Sequence, residues 1–378
     1  MIALLLVIVL AIGIVGFSCV SGLMPVGWSG GTVSDGFLYA VGVENGESCL
    51  LKMSLDGKST ESAKPLKIAT SSGLFGCSSI LSCGGGNARV PVYGTPVVSD
   101  NIVYIAGYNG KIYAYDTNNL NKVPGSYPVS SYTSAPFVGC IVIDGNNLFI
   151  GCSDGFVYAF DKVTGGLLNS FQTGDKFWGT PTVEGDTLYI GSFDKKLYAL
   201  NTADLTLKWS FTTEGSIISK PLVYNGVVYF GSFDKKLYAV NASNGSPIWK
   251  EPFTGGNWFW AQPVIVNDTL YAGCLDGFVY ALKPSTGELV KVIQIGGQLA
   301  SQPVVFDNYI IFASHNGGVF KVDSNTQAIV QIATFESAID SPLTIHEGII
   351  YFQTLDAHLQ RIDVSSGAVL PSTPLVSQ

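Results

Sequence analysis

The chain has 378 residues and a formal net charge of −8; 13% of its side chains are charged and 47% are apolar. That balance excludes a nucleic-acid partner, which needs a Lys/Arg-rich face, and supplies no polybasic patch for a membrane surface. The 44 Gly and 18 Tyr suit short buried strands joined by tight turns and argue against disorder.

Residues Met1 to Phe17 carry no charged side chain. The run stands at the lower limit for a spanning helix and is also long enough for the apolar region of a signal peptide. No basic residue precedes it, a departure from the usual signal. Cys19 follows Gly16-Phe17-Ser18: the small residue before the cysteine fits a bacterial lipobox, but the Leu expected further upstream is missing. Three readings stay open, namely lipid attachment at Cys19, an uncleaved anchor, and ordinary signal cleavage. All three put the rest of the chain outside the cytoplasm. The organisation expected is a targeting or anchor segment over residues 1–19 and one domain over residues 20–378.

The first repeat-like stretch is Gly31-Thr32-Val33-Ser34-Asp35-Gly36-Phe37-Leu38-Tyr39-Ala40. About twenty extra residues then separate it from the next unit, within residues 57–93 or so; they include Cys77, Cys83 and the run Gly84-Gly85-Gly86. A loop of that length is either functional or an inert surface insertion. An exported chain permits disulfides. Cys77 and Cys83, in one short loop, are the best candidate bridge. Cys140 and Cys152 flank a hairpin and could approach across strands. Cys152 and Cys274 occupy the repeat position of Ser192 and Ser232, so small buried strand residues are an equal reading for them.

From there the period is plain. Gly191-Ser192-Phe193-Asp194-Lys195-Lys196-Leu197-Tyr198-Ala199-Leu200 returns 40 residues later (231 − 191) as Gly231-Ser232-Phe233-Asp234-Lys235-Lys236-Leu237-Tyr238-Ala239-Val240. Such a period signals a solenoid, propeller or array. Each unit opens on a proline (Pro96, Pro136, Pro181, Pro221, Pro263, Pro303, Pro342), and the unit at Gly31 makes eight. Within a unit, period-two segments such as Asp186-Thr187-Leu188-Tyr189-Ile190 read as strands, and Asn225-Gly226 and its kin read as hairpin turns. A fourth strand is clearest in Leu207-Lys208-Trp209-Ser210-Phe211 and Pro247-Ile248-Trp249-Lys250. The poor segment Gly367-Ala368-Val369-Leu370-Pro371 leaves ring closure to residues near Pro25 to Trp28. The fold class predicted is all-β, an eight-bladed propeller of four-stranded antiparallel blades.

The pattern Pro-Val-Val-x-Asp/Asn-Gly-x-Leu/Val-Tyr-x-Gly-Ser-x-Asp-x-x-Leu-Tyr-Ala-Leu resembles the pyrroloquinoline-quinone type propeller repeat. That repeat occurs in quinoprotein alcohol dehydrogenases and in the lipoprotein propeller of the outer-membrane β-barrel assembly machinery. The resemblance covers roughly residues 28–370; it is specific for fold and weak for function. For a quinoprotein it implies a calcium site of carboxylates and amides, a catalytic Asp, an aromatic face under the quinone and often a vicinal cystine. This chain has no adjacent cysteines and is shorter than such enzymes.

Propeller topology puts the connection entering the first strand and the turn between the second and third strands on one face. Phe177, Trp178, Trp258, Phe259 and Trp260 from the connections, with Phe193, Phe233, Lys195 and Lys235 from the turns, are therefore expected at one mouth of the channel. They form a candidate partner-binding surface. The competing reading wedges the aromatics between blades. Lys220, Gln262 and Gln302, each before an opening proline, are expected near the axis. Gly151-Cys152-Ser153-Asp154-Gly155 matches a nucleophile elbow only formally, since here it joins two strands. His315, His346 and His358 show no metal-ligand spacing, and no catalytic or metal residue is assigned. The function expected is a non-catalytic, membrane-associated scaffold, monomeric and without cofactor, that binds a protein or peptide. The alternatives are an oxidoreductase using the quinone and calcium, and a small-molecule sensor.

Overall fold

The computed structural model describes residues 29–44, 47–57, 59–66, 90–123, 127 and 133–376. These residues build eight antiparallel sheets with strands in chain order. Seven have four strands; in blade 2 the fourth is reduced to a bridge between Tyr115 and Lys122. No helix occurs among the described residues. The molecule is an eight-bladed β-propeller. The expectations placed on residues 1–19, on Cys77 and Cys83, and on Pro25 to Trp28 lie outside the described residues.

Blade 4 shows why the repeat folds as it does. Its strands are Thr182–Glu184, Thr187–Gly191, Lys196–Asn201 and Leu207–Thr212. The second and third strands are covered on both faces by neighbouring blades, so their sequences are almost continuously apolar. The outer strand is solvated, and only Trp209 of it is buried. In blade 5, Asn225 and Gly226 both take positive φ (49° and 74°), as a type I′ hairpin turn requires. First strands of neighbouring blades approach one another around the axis.

Blades are tied to each other by a tyrosine on the second strand. Its hydroxyl donates to a carbonyl of the next blade: Tyr104 to Lys162 (3.0 Å), Tyr189 to Ala242 (3.0 Å), Tyr229 to Pro284 (3.2 Å), Tyr271 to Ser324 (3.1 Å). Each such bond contributes about 1 kcal/mol. Closure of the ring uses other donors. Thr344 Oγ1 donates to the Gly31 carbonyl at 2.6 Å, as Thr182 does to Pro221 one blade boundary away in the repeat. Arg361, 2% exposed, donates from Nη1 to the Leu55 carbonyl at 2.9 Å, and Val43 N–H to Leu375 at 2.6 Å.

Several sequence expectations change. The last blade owns a fourth strand, Val369–Pro374, paired to His358–Asp363, because Pro371 and Pro374 fall on an outer edge where a missing N–H is tolerated. In blade 5 the fourth strand is Phe253–Thr254, not Pro247–Lys250; Pro247 makes only an isolated bridge to Val240, although Trp249 keeps its place and donates Nε1–H to Pro284. Pro136 and Pro342 do not open blades. Ile141 and Leu343 directly precede the first strands Val142–Asp144 and Thr344–His346, so the extra residues of that unit lie before blade 3. Part of the expected insertion is structural: Thr60–Pro65 is the fourth strand of blade 1, and Val90 and Val92 are buried. Cys140 and Cys152 are free thiols, as is Cys274.

Phe177 and Phe259 are corrected as well. They belong to a core slot that recurs as Phe137, Phe177, Ile217, Phe259, Leu299 and Ile339, each 2% exposed or less. Phe177, Ile217, Phe259 and Leu299 pack under the glycine that ends a second strand; above Phe137 and Ile339 the strands end in Ala106 and Ala313. A Cβ on Gly151 would lie 2.6 Å from Cβ of Phe177, and one on Gly191 would lie 2.7 Å from the Ile217 carbonyl oxygen and closer still to its side chain. The wedge reading therefore holds for Phe177 and Phe259. Replacement of Gly191 by Ala should destabilise the fold by about 1–3 kcal/mol through overpacking, read as a lower urea midpoint with unchanged slope; an unchanged midpoint would show that the slot has room to give.

Candidate docking face at the channel mouth

The slot residue anchors the connection that enters each blade, and the anchored connection fixes what surrounds it. Phe193 N–H donates to the Lys176 carbonyl at 3.0 Å and Phe233 N–H to Ser216 at 2.9 Å, which joins turn to connection on the same face. The turn itself is set by its aspartate. Asp194 accepts from the Tyr198 hydroxyl (2.6 Å), the Lys196 N–H (3.1 Å) and the Gly174 N–H (3.1 Å). Asp234 and Asp276 repeat this with Tyr238 and Tyr280, both at 2.6 Å, and Asp154 with Tyr158 at 2.8 Å. Burial first, and then the aspartate, raise the phenol pKa of Tyr158, Tyr198, Tyr238 and Tyr280, so these hydroxyls stay protonated donors.

With Asp194 and Asp234 held inward, Phe193 and Phe233 stand beside the connection aromatics. Trp178 meets Phe193 edge-on at 4.8 Å, Phe193 meets Phe233 at 6.2 Å, and Phe233 stacks on Trp258 at 4.3 Å with Trp260 at 5.7 Å. The five rings make one arc, all partly exposed. Trp178 Nε1–H donates to Ser153 Oγ at 3.2 Å, which sets its orientation. Lys176 Nζ lies 5.0 Å from the Trp178 ring centroid and 4.7 Å from that of Phe193. Seven of the nine partner-surface residues expected from sequence thus lie on this face, with Lys195 and Lys235 exposed at its rim. Near the axis, Gln302 Nε2 donates to Gln262 Oε1 (2.9 Å) and Gln262 Nε2 to the Pro221 carbonyl (3.1 Å); Lys220 holds the equivalent position of blade 5.

Three features of the face escaped the sequence reading. Lys176 precedes the core slot and needs tertiary packing to meet two rings. Tyr108 holds the repeat position of Phe193 and packs edge-on against Tyr93 at 5.4 Å, a match the period itself offered. His315 holds that same position in blade 7, and its Nδ1 lies 2.8 Å from Asp340 Oδ1. The hydrogen bond to Asp340 raises the His315 pKa against the opposing effect of burial. Cys152 and Cys274 are sealed in the core, and burial pushes both thiols up to about 12, which makes them inert.

The quinone–calcium chemistry implied by the repeat type needs converging hard oxygen ligands. Among the described residues no group of three or more His, Cys, Asp or Glu side chains converges. The turn carboxylates are engaged by their tyrosines and backbone N–H groups.

The geometry defines a class, an eight-bladed propeller whose mouth is an aromatic surface on closely similar repeats. The sequence profile of a family described as outer membrane protein assembly factor BamB matches residues 85–166 and 153–373, and the chain belongs to that family. The crystal structure of BamB from Moraxella catarrhalis is similar at 17% identity, with a TM-score of 0.67, over 87% of this chain and 91% of that one. The computationally designed Ika8 protein is similar at 16% identity, with a TM-score of 0.66, over 76% of this chain and 87% of that one. At such identities the likeness concerns the fold. No curated protein matches significantly by sequence.

Two expectations can be measured on the face. Lys195 and Lys235 hold φ of 72° and 70° where Gly155, Gly277 and Gly317 stand in other blades. Lys195→Gly should therefore raise stability by about 0.5–1 kcal/mol in urea unfolding; a lower midpoint would show that the positive φ carries no strain. Because the folded pKa of His315 is raised, its pair with Asp340 stabilises the fold fully below the unfolded histidine value of about 6.5. That contribution is lost as pH rises through the folded value. The urea midpoint of the wild type should fall across this window relative to that of Asp340→Asn; parallel profiles would contradict the assignment.

Proposed function

We propose that this protein is a non-catalytic, extracytoplasmic scaffold, a monomer held at a membrane through its N-terminal segment, that captures a protein or peptide partner on the aromatic mouth. One observation carries the reading: Trp178, Phe193, Phe233, Trp258 and Trp260 form a contiguous arc that stays partly exposed although the fold has core slots for aromatics nearby. Partly exposed tryptophans are among the side chains that dominate protein interfaces. Membership in a family described as an outer membrane protein assembly factor supports a role in binding proteins. The proposal includes no cofactor and no reaction.

The test compares wild type with Trp178→Ala/Trp258→Ala/Trp260→Ala in crosslinking to membrane fractions of the source cell. The variant should keep its β-sheet circular dichroism and a cooperative transition, and should lose the crosslinked partner. Identical crosslinks from both proteins would move the binding surface elsewhere, and an unfolded variant would place the tryptophans in the core.

A further inference from the structure

Three lysines stand at the aromatic arc. Lys176, Lys195 and Lys235 border it in a chain of net charge −8, and among the described residues none of the three has a carboxylate within ion-pair distance. The carboxylates beside them are occupied: Asp194 and Asp234 by Tyr198 and Tyr238, and Glu214 by Lys236 at 2.7 Å. Asp175 accepts the N–H of Lys176 at 2.7 Å.

The lysines at the turn tips are the more informative pair. A left-handed backbone disfavours any residue with a Cβ, and the same turn in blades 3, 6 and 7 uses glycine. Only blades 4 and 5 place a lysine there, and these are the two blades whose turns also supply Phe193 and Phe233. Strained positions of this kind collect at functional surfaces. The pair thus sets two exposed cations on adjacent blades beside two rings.

Resting on the docking surface proposed above, we infer that this face recognises an acidic segment of a protein partner, one that alternates carboxylates with aromatic or large aliphatic side chains. The apolar side chains pack on the arc, and the carboxylates lie against Lys176, Lys195 and Lys235. Charge of this kind acts on encounter and choice of partner more than on total affinity, so binding is sensitive to salt.

The experiment uses fluorescence anisotropy of labelled short peptides on the protein as expressed. The probes are a peptide alternating Asp or Glu with Phe or Leu, a copy with Lys for every acid, and a copy with Ser for every Phe and Leu. The acidic apolar peptide should bind and weaken with salt, and the other two should not bind. Lys195→Gly/Lys235→Gly, which removes both charges at positions where glycine suits the backbone, should weaken it by about tenfold. Equal binding of the Lys copy, or no effect of the glycine pair, overturns the inference. If that copy is still lost with the triple tryptophan variant, the docking face itself stands. Failure of all three probes overturns the inference, while a tryptophan-dependent crosslink would keep the broader reading. Sedimentation with phosphatidylglycerol vesicles, without binding of the acidic peptide, would reassign the cations to a lipid surface.

Discussion

The contact on which the rest depends is the one between a glycine that ends a second strand and the large apolar residue wedged beneath it from the next connection. Gly151 over Phe177, Gly191 over Ile217 and Gly231 over Phe259 are the same contact at successive blade boundaries. A Cβ would not fit at these three boundaries, whereas the second strands of blades 2, 7 and 8 end in Ala106, Ala313 and Gln353. Each buried Phe or Ile contributes about 1.5–3 kcal/mol through removal from water. The wedge also fixes the residues on either side of it, and these emerge on the face: Lys176 and Trp178 around Phe177, Trp258 and Trp260 around Phe259. Packing between blades and display at the mouth are therefore one feature.

The turn aspartates work in the same direction. By accepting a tyrosine hydroxyl and backbone N–H groups, Asp154, Asp194, Asp234 and Asp276 hold the tip rigid and withdraw negative charge from the rim. At the surface stand aromatic rings and lysine ammonium groups, with Asp175 and Glu214 exposed beside them. The His315–Asp340 pair on the far arc of the ring satisfies its own charge within the chain and adds no free cation.

The fold was legible because its physical cause is periodic. Strand alternation, Asn-Gly turns and the Gly-Ser-x-Asp formula each recur at a spacing that only repeated sheets explain. Errors came where one unit broke the formula. Pro136 and Pro342 imitate an opening proline but lie five residues (141 − 136) and one residue (343 − 342) before the positions that Ile141 and Leu343 fill, and register is set by strand pairing with Phe149 and Tyr351. Val369–Pro374 looked too weak for a strand because outer-edge strands tolerate proline, which sequence propensity penalises without knowing the edge. Phe177 and Phe259 were misplaced although the slot is periodic, since aromatics and aliphatics alternate in it and hide the match.

By itself, the sequence determined the number of blades, the order of strands and the face on which turns and connections meet, because those follow from a repeat length and from the φ demands of its glycines. Only the tertiary structure decided which aromatics are core and which are surface. Phe177 and Trp178 are neighbours in the chain, and strand-to-strand packing against Gly151 buries one while the hydrogen bond to Ser153 holds the other at the mouth. The pairing of Lys176 with two rings and of His315 with Asp340 was likewise settled by packing between successive turns and connections, and that of Thr344 with Gly31 by closure of the ring.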